Sequence, residues 1–246
     1  FGAEEVARRK HREPRLRDFG PRTRLPRHSR DGFGRKLKAK KKAEVFRLSK
    51  IQNFTMNSLE RNFTQAERVL LEFSTRLCIA RHIQLLAWKI YKRARKKDMI
   101  QGRSIAAIMA GSLYCAIRVH DCPRILDEVV SISGLEKKEV SSASTLLVRK
   151  VLPEMGLKVK NVRPTQLIYK FGGDLCVSVL AQRKAWKTLQ RAIEGGVYTS
   201  GKDPKGLAAG ALYVALNSLQ EGRFTQKEIS EIACVTEVTL RNRARE

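Results

Sequence analysis

IAAIMAGSLYCAIRV, residues 105–119, and GLAAGALYVALNSL, residues 206–219, are the two stretches on which the fold turns. Both are apolar nearly all round, with small residues at close spacing. A helix with one apolar stripe lies on a core, whereas a helix that is apolar on every side has to be surrounded. Each stretch therefore predicts the central helix of a bundle with four others packed about it. The two are also copies: at an offset of 99, AGSLYCA (110–116) lies on AGALYVA (209–215) and matches at five of seven places.

The correspondence extends outward in both directions. An offset of 98 superposes Phe73 on Phe171, Leu77 on Leu175, Cys78 on Cys176, Gln84 on Gln182, Ala87-Trp88-Lys89 on Ala185-Trp186-Lys187, and Ala94 on Ala192. One further indel places Glu128 on Glu228, Val129 on Ile229 and Ile132 on Ile232. Two homologous units of about 100 residues follow, at 57–155 and 156–246. In the first, periodicity and breakers predict helices near 58–80, 83–97, 104–119, 125–132 and 136–151. Ser104 and Asp203 read as N-caps of the equivalent third helices, with Pro204 at a first helical position. No segment asks to be a strand. The expected fold is all-α: two tandem five-helix repeats behind a basic, largely irregular arm at 1–56.

The first fifty residues hold 18 Lys+Arg and 6 Asp+Glu, with three prolines, four glycines and no sustained apolar period. A short basic helix is possible over FGAEEVARRKH, and KLKAKKK (36–42) reads as a solvated charge run. Phe19, Phe33 and Gly34 punctuate the arm in a way a plain spacer does not need. They favour ordering on an anionic or protein partner. Over the whole chain the balance is 50 Lys+Arg against 24 Asp+Glu, a formal charge of +26. That excess points to a polyanion as partner.

Several classes are excluded. No stretch approaches the ~18 uncharged apolar residues of a membrane-spanning helix, and no signal peptide opens the chain. The start at Phe1 reads as that of a fragment. The five cysteines, odd in number and lacking any C-x-x-C pair, read as reduced core residues of an intracellular protein. His11, His28, His82 and His120 have no companions that would make a triad or a metal site, so no catalytic residue and no metal ligand is assigned. Gly196–Lys202 has the spacing of a phosphate-binding loop, but Asp203 and Pro204 follow where Ser or Thr should stand, and a helix precedes it. It reads as a turn between helices. Trp88, Trp186, Tyr114 and Tyr213 recur at matching positions and suit core packing.

The most informative motif is TQKEISEIACVTEVTLRNRARE, 225–246. Thr225 with Glu228 makes a capping box before a short helix, Ala233-Cys234-Val235 makes a tight connection, and Thr236 caps a second helix bearing Arg241, Arg243 and Arg245. This is a helix-turn-helix pattern. Its second helix enters the major groove, where Arg can donate twice to guanine and an apolar side chain can touch a thymine methyl. In the first unit the counterparts of Val238 and Arg241 are Lys138 and Ser141. Point charges such as Lys137 and Lys138 suit phosphates or an acidic protein surface instead. Arg103, Lys202 and Lys205 stand at helix N-termini, where a DNA phosphate is favoured.

Two five-helix units carrying G-[RK]…A-G-x-L-Y-x-A, the first followed by CPRILDEV and the second by TQKEISEIACVTEVTLRNR, resemble the cyclin-type repeats of the archaeal transcription initiation factor B family, counterpart of eukaryotic general transcription factor IIB. The resemblance covers roughly 57–246, and RTRLPRHSRDGFGRKL with KAEVFRLSKIQ is similar to the family's segment preceding the first repeat. It implies a non-enzymatic factor, a monomer, that binds the TATA-binding protein on promoter DNA, reads a purine-rich element upstream of the TATA box, and recruits RNA polymerase. Val238 and Arg241 match base-contacting positions. Arg103, Arg124, Lys137, Lys138, Lys202, Lys205, Thr236 and Arg243 match or adjoin phosphate- and partner-facing ones. Arg22, Arg24, Arg27, Asp31 and Phe33 fall in the segment that faces the polymerase. No cofactor is implied within the chain, since the family's zinc ribbon would lie N-terminal to it. The implied location is the archaeal cytoplasm with its nucleoid, or the nucleus for a eukaryotic protein. A kinase-docking cyclin-like subunit, a nucleotide hydrolase using the glycine turn, and a paralogous factor for another polymerase are the rival readings.

Overall fold

The structure, a computed structural model, describes Arg30, Asp31 and residues 33–196, 201–219 and 224–245. Its described elements are helical apart from one isolated antiparallel bridge, Arg30 to Lys36. In chain order the helices are α1 (Ala39–Thr55), α2 (Ser58–Arg76), α3 (Arg81–Lys96), α4 (Ile105–Val119), α5 (Leu126–Ser133) and α6 (Lys137–Lys150). They continue with α7 (Pro164–Asp174), α8 (Val179–Glu194), α9 (Pro204–Ser218), α10 (Gln226–Ala233) and α11 (Glu237–Arg245). No described helix is long and apolar enough to cross a membrane.

The residues fall into two compact units. One runs to Ala116 and resumes over Val129–Glu154; the other comprises Ile117–Glu128 and the described residues from Met155 onward.

In the first unit, Asn57 and Glu60 form a capping box that starts α2. Phe63, Ala66, Leu70 and Phe73 line the inner face of α2, and Ile83, Ala87, Trp88, Ile90, Tyr91 and Ala94 that of α3. Trp88 stacks on Tyr91 at 5.9 Å between centroids, with Phe63 edge-on to both. The Tyr91 hydroxyl donates to Asn62 at 2.8 Å. In α4, Ile108, Met109, Ala110 and Leu113 have no exposed surface, as a surrounded helix requires.

The second unit repeats this plan with α9 at its centre, touching α7, α8, α10 and α11. Leu167, Ile168, Phe171, Ala185, Leu212, Ile229 and Leu240 form its core, and Ile125 joins them. The repeat extends to its turns. Gln84 donates to the Ile79 carbonyl at 2.7 Å and Gln182 to that of Val177 at 3.0 Å. Ser104 and Asp203 cap α4 and α9 as expected, accepting from the Ala107 and Lys205 amides.

Part of the arm is helical: Ala39–Thr55, including the end of the charge run, forms α1. Ala, Lys, Glu, Arg, Leu and Gln are good helix formers, and no Pro or Gly follows Gly34 in this stretch. The apolar period is hidden because α1 is apolar on two sides. Ser49 and the following Met56 are buried inward with Val45 and Gln52 half-buried, while Phe46, Ile51 and Phe54 face outward.

The cysteines are not uniformly core residues: only Cys115 is buried, Cys122 is half-buried, and Cys78, Cys176 and Cys234 are exposed. Those three hold φ of 51°, 55° and 51° at the left-handed residue that ends a helix. The next amide in each case closes on a carbonyl five residues back, Ile79 on Ser74, Val177 on Gly172 and Val235 on Ser230. Local turn geometry therefore points these thiols outward despite their apolar neighbours in sequence. Of the recurring aromatics, Trp88 is buried, and Tyr114, Trp186 and Tyr213 are half-buried.

Candidate nucleic-acid interface

The helix-turn-helix is built as its sequence predicts. The Glu228 amide donates to Thr225 Oγ1 at 3.3 Å, and the Thr225 amide donates to Glu228 Oε2 at 2.7 Å. Hydrogen bonds from the Thr225 amide and hydroxyl hold the Glu228 carboxyl below its ordinary range. Cys234 turns the chain, and Thr236 Oγ1 then accepts from the Thr239 amide at 3.2 Å to cap α11. Leu240, fully buried, points α11 inward.

Two glycines let α11 come so close to α9. A Cβ on Gly210 would lie 3.0 Å from both the carbonyl carbon and the Cβ of Arg243, and one on Gly206 would lie 3.3 Å from Thr239 Cγ2. The same device recurs in the first unit, where a Cβ on Gly111 would lie 3.0 Å from the Ser144 amide nitrogen of α6. Glycine is favoured at these places by close approach rather than by φ, most strongly at Gly111 and Gly210, which face backbone.

With about 3.6 residues per turn, Val238, Arg241, Asn242 and Arg245 share the face of α11 opposite Leu240. Val238 is 59% exposed, and Arg241, Asn242 and Arg245 are exposed too. The Arg241 guanidinium rests against Glu237, Nη2 to Oε2 at 3.9 Å, with both side chains about half exposed. Such a pair is weak and yields readily to a stronger acceptor. Sequence reasoning missed Asn242 and left Arg245 without a role, although counting in helical steps from the Thr236 cap would have found both. Arg241 and Arg245 also border a groove of about 560 Å³ with Tyr213, Asn217 and Gln226, in which Gln226 Nε2 donates to the Tyr213 hydroxyl at 2.7 Å. Arg243 is half-buried with its backbone seated on Gly210, and the Thr236 hydroxyl serves the cap and Thr239 Oγ1 at 2.8 Å.

In the first unit, Arg103, Lys138, Arg149 and Lys150 line a groove of about 460 Å³ with the hydroxyls of Ser141, Ser142 and Thr145. Lys137 is exposed beside it in the first turn of α6. Arg103 follows the left-handed Gly102 (φ 73°) and precedes the α4 cap; Lys202 follows the left-handed Gly201 (φ 77°) and precedes the α9 cap. Both units thus place a basic side chain at the N-terminus of the central helix, where amides and charge favour an anion. Of the glycine turn that contains Lys202, residues 197–200 lie outside the described residues.

Arg124 and Lys205 are engaged within the protein. Arg124 Nη1 is 3.7 Å from Glu128 Oε1. Lys205 Nζ donates to Asp127 Oδ2 at 2.8 Å and to the Cys234 carbonyl at 3.5 Å, with Asp203 Oδ2 at 3.7 Å. Burial would lower the Lys205 pKa, but the hydrogen bond to Asp127 and the charges of Asp203 and Asp127 outweigh it and hold it above its ordinary value.

In the arm, Asp31 Oδ1 accepts from the amides of Phe33 at 3.0 Å and Arg35 at 2.8 Å, closing a small hairpin with Phe33 at its tip, 93% exposed. Arg22, Arg24, Arg27, His11, His28 and the segment FGAEEVARRKH lie outside the described residues. Among the described residues, no group of three or more His, Cys, Asp or Glu could hold a metal ion.

Two segments, 59–150 and 157–246, match the family model for the transcription factor TFIIB repeat. The chain is 36% identical over 233 residues to transcription initiation factor IIB of Methanocaldococcus jannaschii, covering 94% of this chain and 34% of that protein. It is 37% identical over 218 residues to transcription initiation factor IIB 1 of Thermococcus kodakarensis, covering 87% and 71% of the two chains. Against transcription initiation factor IIB of Archaeoglobus fulgidus it is 36% identical over 233 residues, covering 94% and 70%.

Proposed function

The chain belongs to the archaeal transcription initiation factor B family, whose members are initiation factors and not enzymes, and from that premise we propose that it joins the TATA-binding protein on promoter DNA, reads an element upstream of the TATA box, and recruits RNA polymerase. The observation that carries this reading is the outward face of α11. Val238, Arg241, Asn242 and Arg245 stand together there on a helix whose position is set by Leu240 and two glycines. Val238 meets a thymine methyl and Arg241 reads guanine O6 and N7, leaving Glu237 to do so. Asn242 reaches a neighbouring adenine or a phosphate. Arg103, Lys137, Lys138 and Lys202 hold phosphates without regard to sequence.

The arm supplies the polymerase contact. Asp31 staples a hairpin that presents Phe33 to a partner, and the basic Arg22, Arg24 and Arg27 belong to the same segment. No cofactor is assigned to these residues. The protein works as a monomer in the cytoplasm, on the nucleoid.

A gel shift with the TATA-binding protein and a promoter duplex tests the reading. A ternary complex is expected that forms more tightly on a duplex with a purine-rich upstream element than on one with that element scrambled. Equal binding to both duplexes would remove the base-reading role, and no binding to either would remove the promoter.

A further inference from the structure

Lys205 holds a singular place in the second unit. It opens α9 one residue before Gly206, on which Thr239 of α11 is packed, and its ammonium bridges Asp127 to the carbonyl of Cys234. Cys234 is the left-handed residue of the helix-turn-helix. The Lys205 and Asp127 side chains are only 16% and 19% exposed. Asp127 comes from the short segment Ile117–Glu128, which packs with this unit through Ile125 in its core. Its neighbour Glu128 pairs with Lys170 of α7, itself 7% exposed, and caps the start of α5 by accepting from the Ile125 amide at 3.2 Å. Asp127 thus sits on a backbone anchored by apolar burial, a helix cap and a second ion pair.

We propose that Asp127 and Lys205 are positioning residues for base reading: the pair holds the Cys234 turn, and through it the angle at which α11 presents Val238 and Arg241. The proposal rests on the DNA-reading role of α11 given above. It assigns Lys205 away from the duplex. A lysine with Asp127 at 2.8 Å and Asp203 at 3.7 Å is already neutralised, and a phosphate would have to displace a largely buried Asp127 and an Asp203 that caps α9. The link also gives Asp127, an acidic side chain of the segment Ile117–Glu128, a part in how α11 meets DNA.

The test uses the full chain with the TATA-binding protein and two promoter duplexes, one with the upstream element and one with it scrambled, across a salt series. Asp127→Asn and Lys205→Met are each expected to lower the ratio of affinities for the two duplexes by about fivefold, leaving affinity for the scrambled duplex and the salt slope unchanged. The double variant should lose no more than either single, because the two residues act as one. Lys205→Arg, which keeps the charge, should recover most of the ratio. Thermal unfolding fixes a working temperature at which every variant is folded. If Lys205→Met flattens the salt slope and weakens both duplexes alike, Lys205 is a phosphate contact and the positioning role is wrong. Additive losses in the double variant overturn it equally. Arg241→Ala, run in parallel, separates the two readings: an unchanged ratio there sinks the base-reading role itself, whereas a loss there beside unaltered Asp127 and Lys205 variants sinks only the present inference.

Discussion

Arg241 is held on its own helix only by Glu237, through a long contact to the half-exposed carboxylate and one of 3.4 Å from Nε to the backbone carbonyl, and the proposed base edge would compete with both. The Glu237 contact at 3.9 Å is too long for a strong hydrogen bond and is screened by water. A guanine edge offers two acceptors in the plane of the guanidinium. Replacing Arg241 by Ala should therefore cost about 1–3 kcal/mol of discrimination at one base position, measured by competition between duplexes that differ there. If general affinity falls while the preference persists, Arg241 is a phosphate contact. Gly210 makes the complementary point about packing. A methyl group there would meet backbone atoms of Arg243 and Ala244 at 3.0 to 3.1 Å, which only a shift of α11 can relieve. Gly210→Ala should lower stability by about 1–3 kcal/mol in urea unfolding. Gly206→Ala, opposed by a rotatable Thr239 methyl at 3.3 Å, should do less.

At the scale of the element, α10 depends on its cap. It has eight residues, too few to persist in water unaided, and Glu228 with Thr225 satisfies two of its first amides. Because the folded pKa of Glu228 lies below that of the unfolded chain, the cap's contribution is fully present above the ordinary glutamate range and is lost as pH falls through the depressed folded value. Hydrogen exchange of the α10 amides should accelerate over that acid window, and Glu228→Gln should remove the pH dependence of that protection. Exchange indifferent to pH in the native protein, after correction for its intrinsic rate, would deny the carboxylate its part. α1 shows the opposite balance. Its sequence supplies propensity, while burial is confined to one narrow face, and Phe54 remains 89% exposed on the other. That division explains why its period was illegible: two apolar faces cancel in any search for one stripe.

For the whole molecule the governing quantity is the charge of +26. Under the proposed function, Lys202 at the N-terminus of α9 and the cationic groove beside α6 would contribute salt-sensitive attachment without sequence preference. Lys202→Ala should weaken binding to all duplexes alike and flatten the slope of log affinity against log salt by about one, read from a titration at several ionic strengths. A change confined to one duplex would contradict it. The all-α architecture, the duplication, the surrounded central helices, the caps at Ser104, Asp203, Thr225 and Thr236, and the helix-turn-helix were all legible in the amino-acid order. They depend on periodicity and on hydrogen bonds between near neighbours, which the chain carries wherever it goes. The outward turn of three cysteines, the second apolar face of α1, the partnership of Lys205 with Asp127 and the glycine seats beneath α11 were decided only in three dimensions. Each depends on what lies across from a residue, and 78 positions separate Lys205 from the carboxylate that claims it.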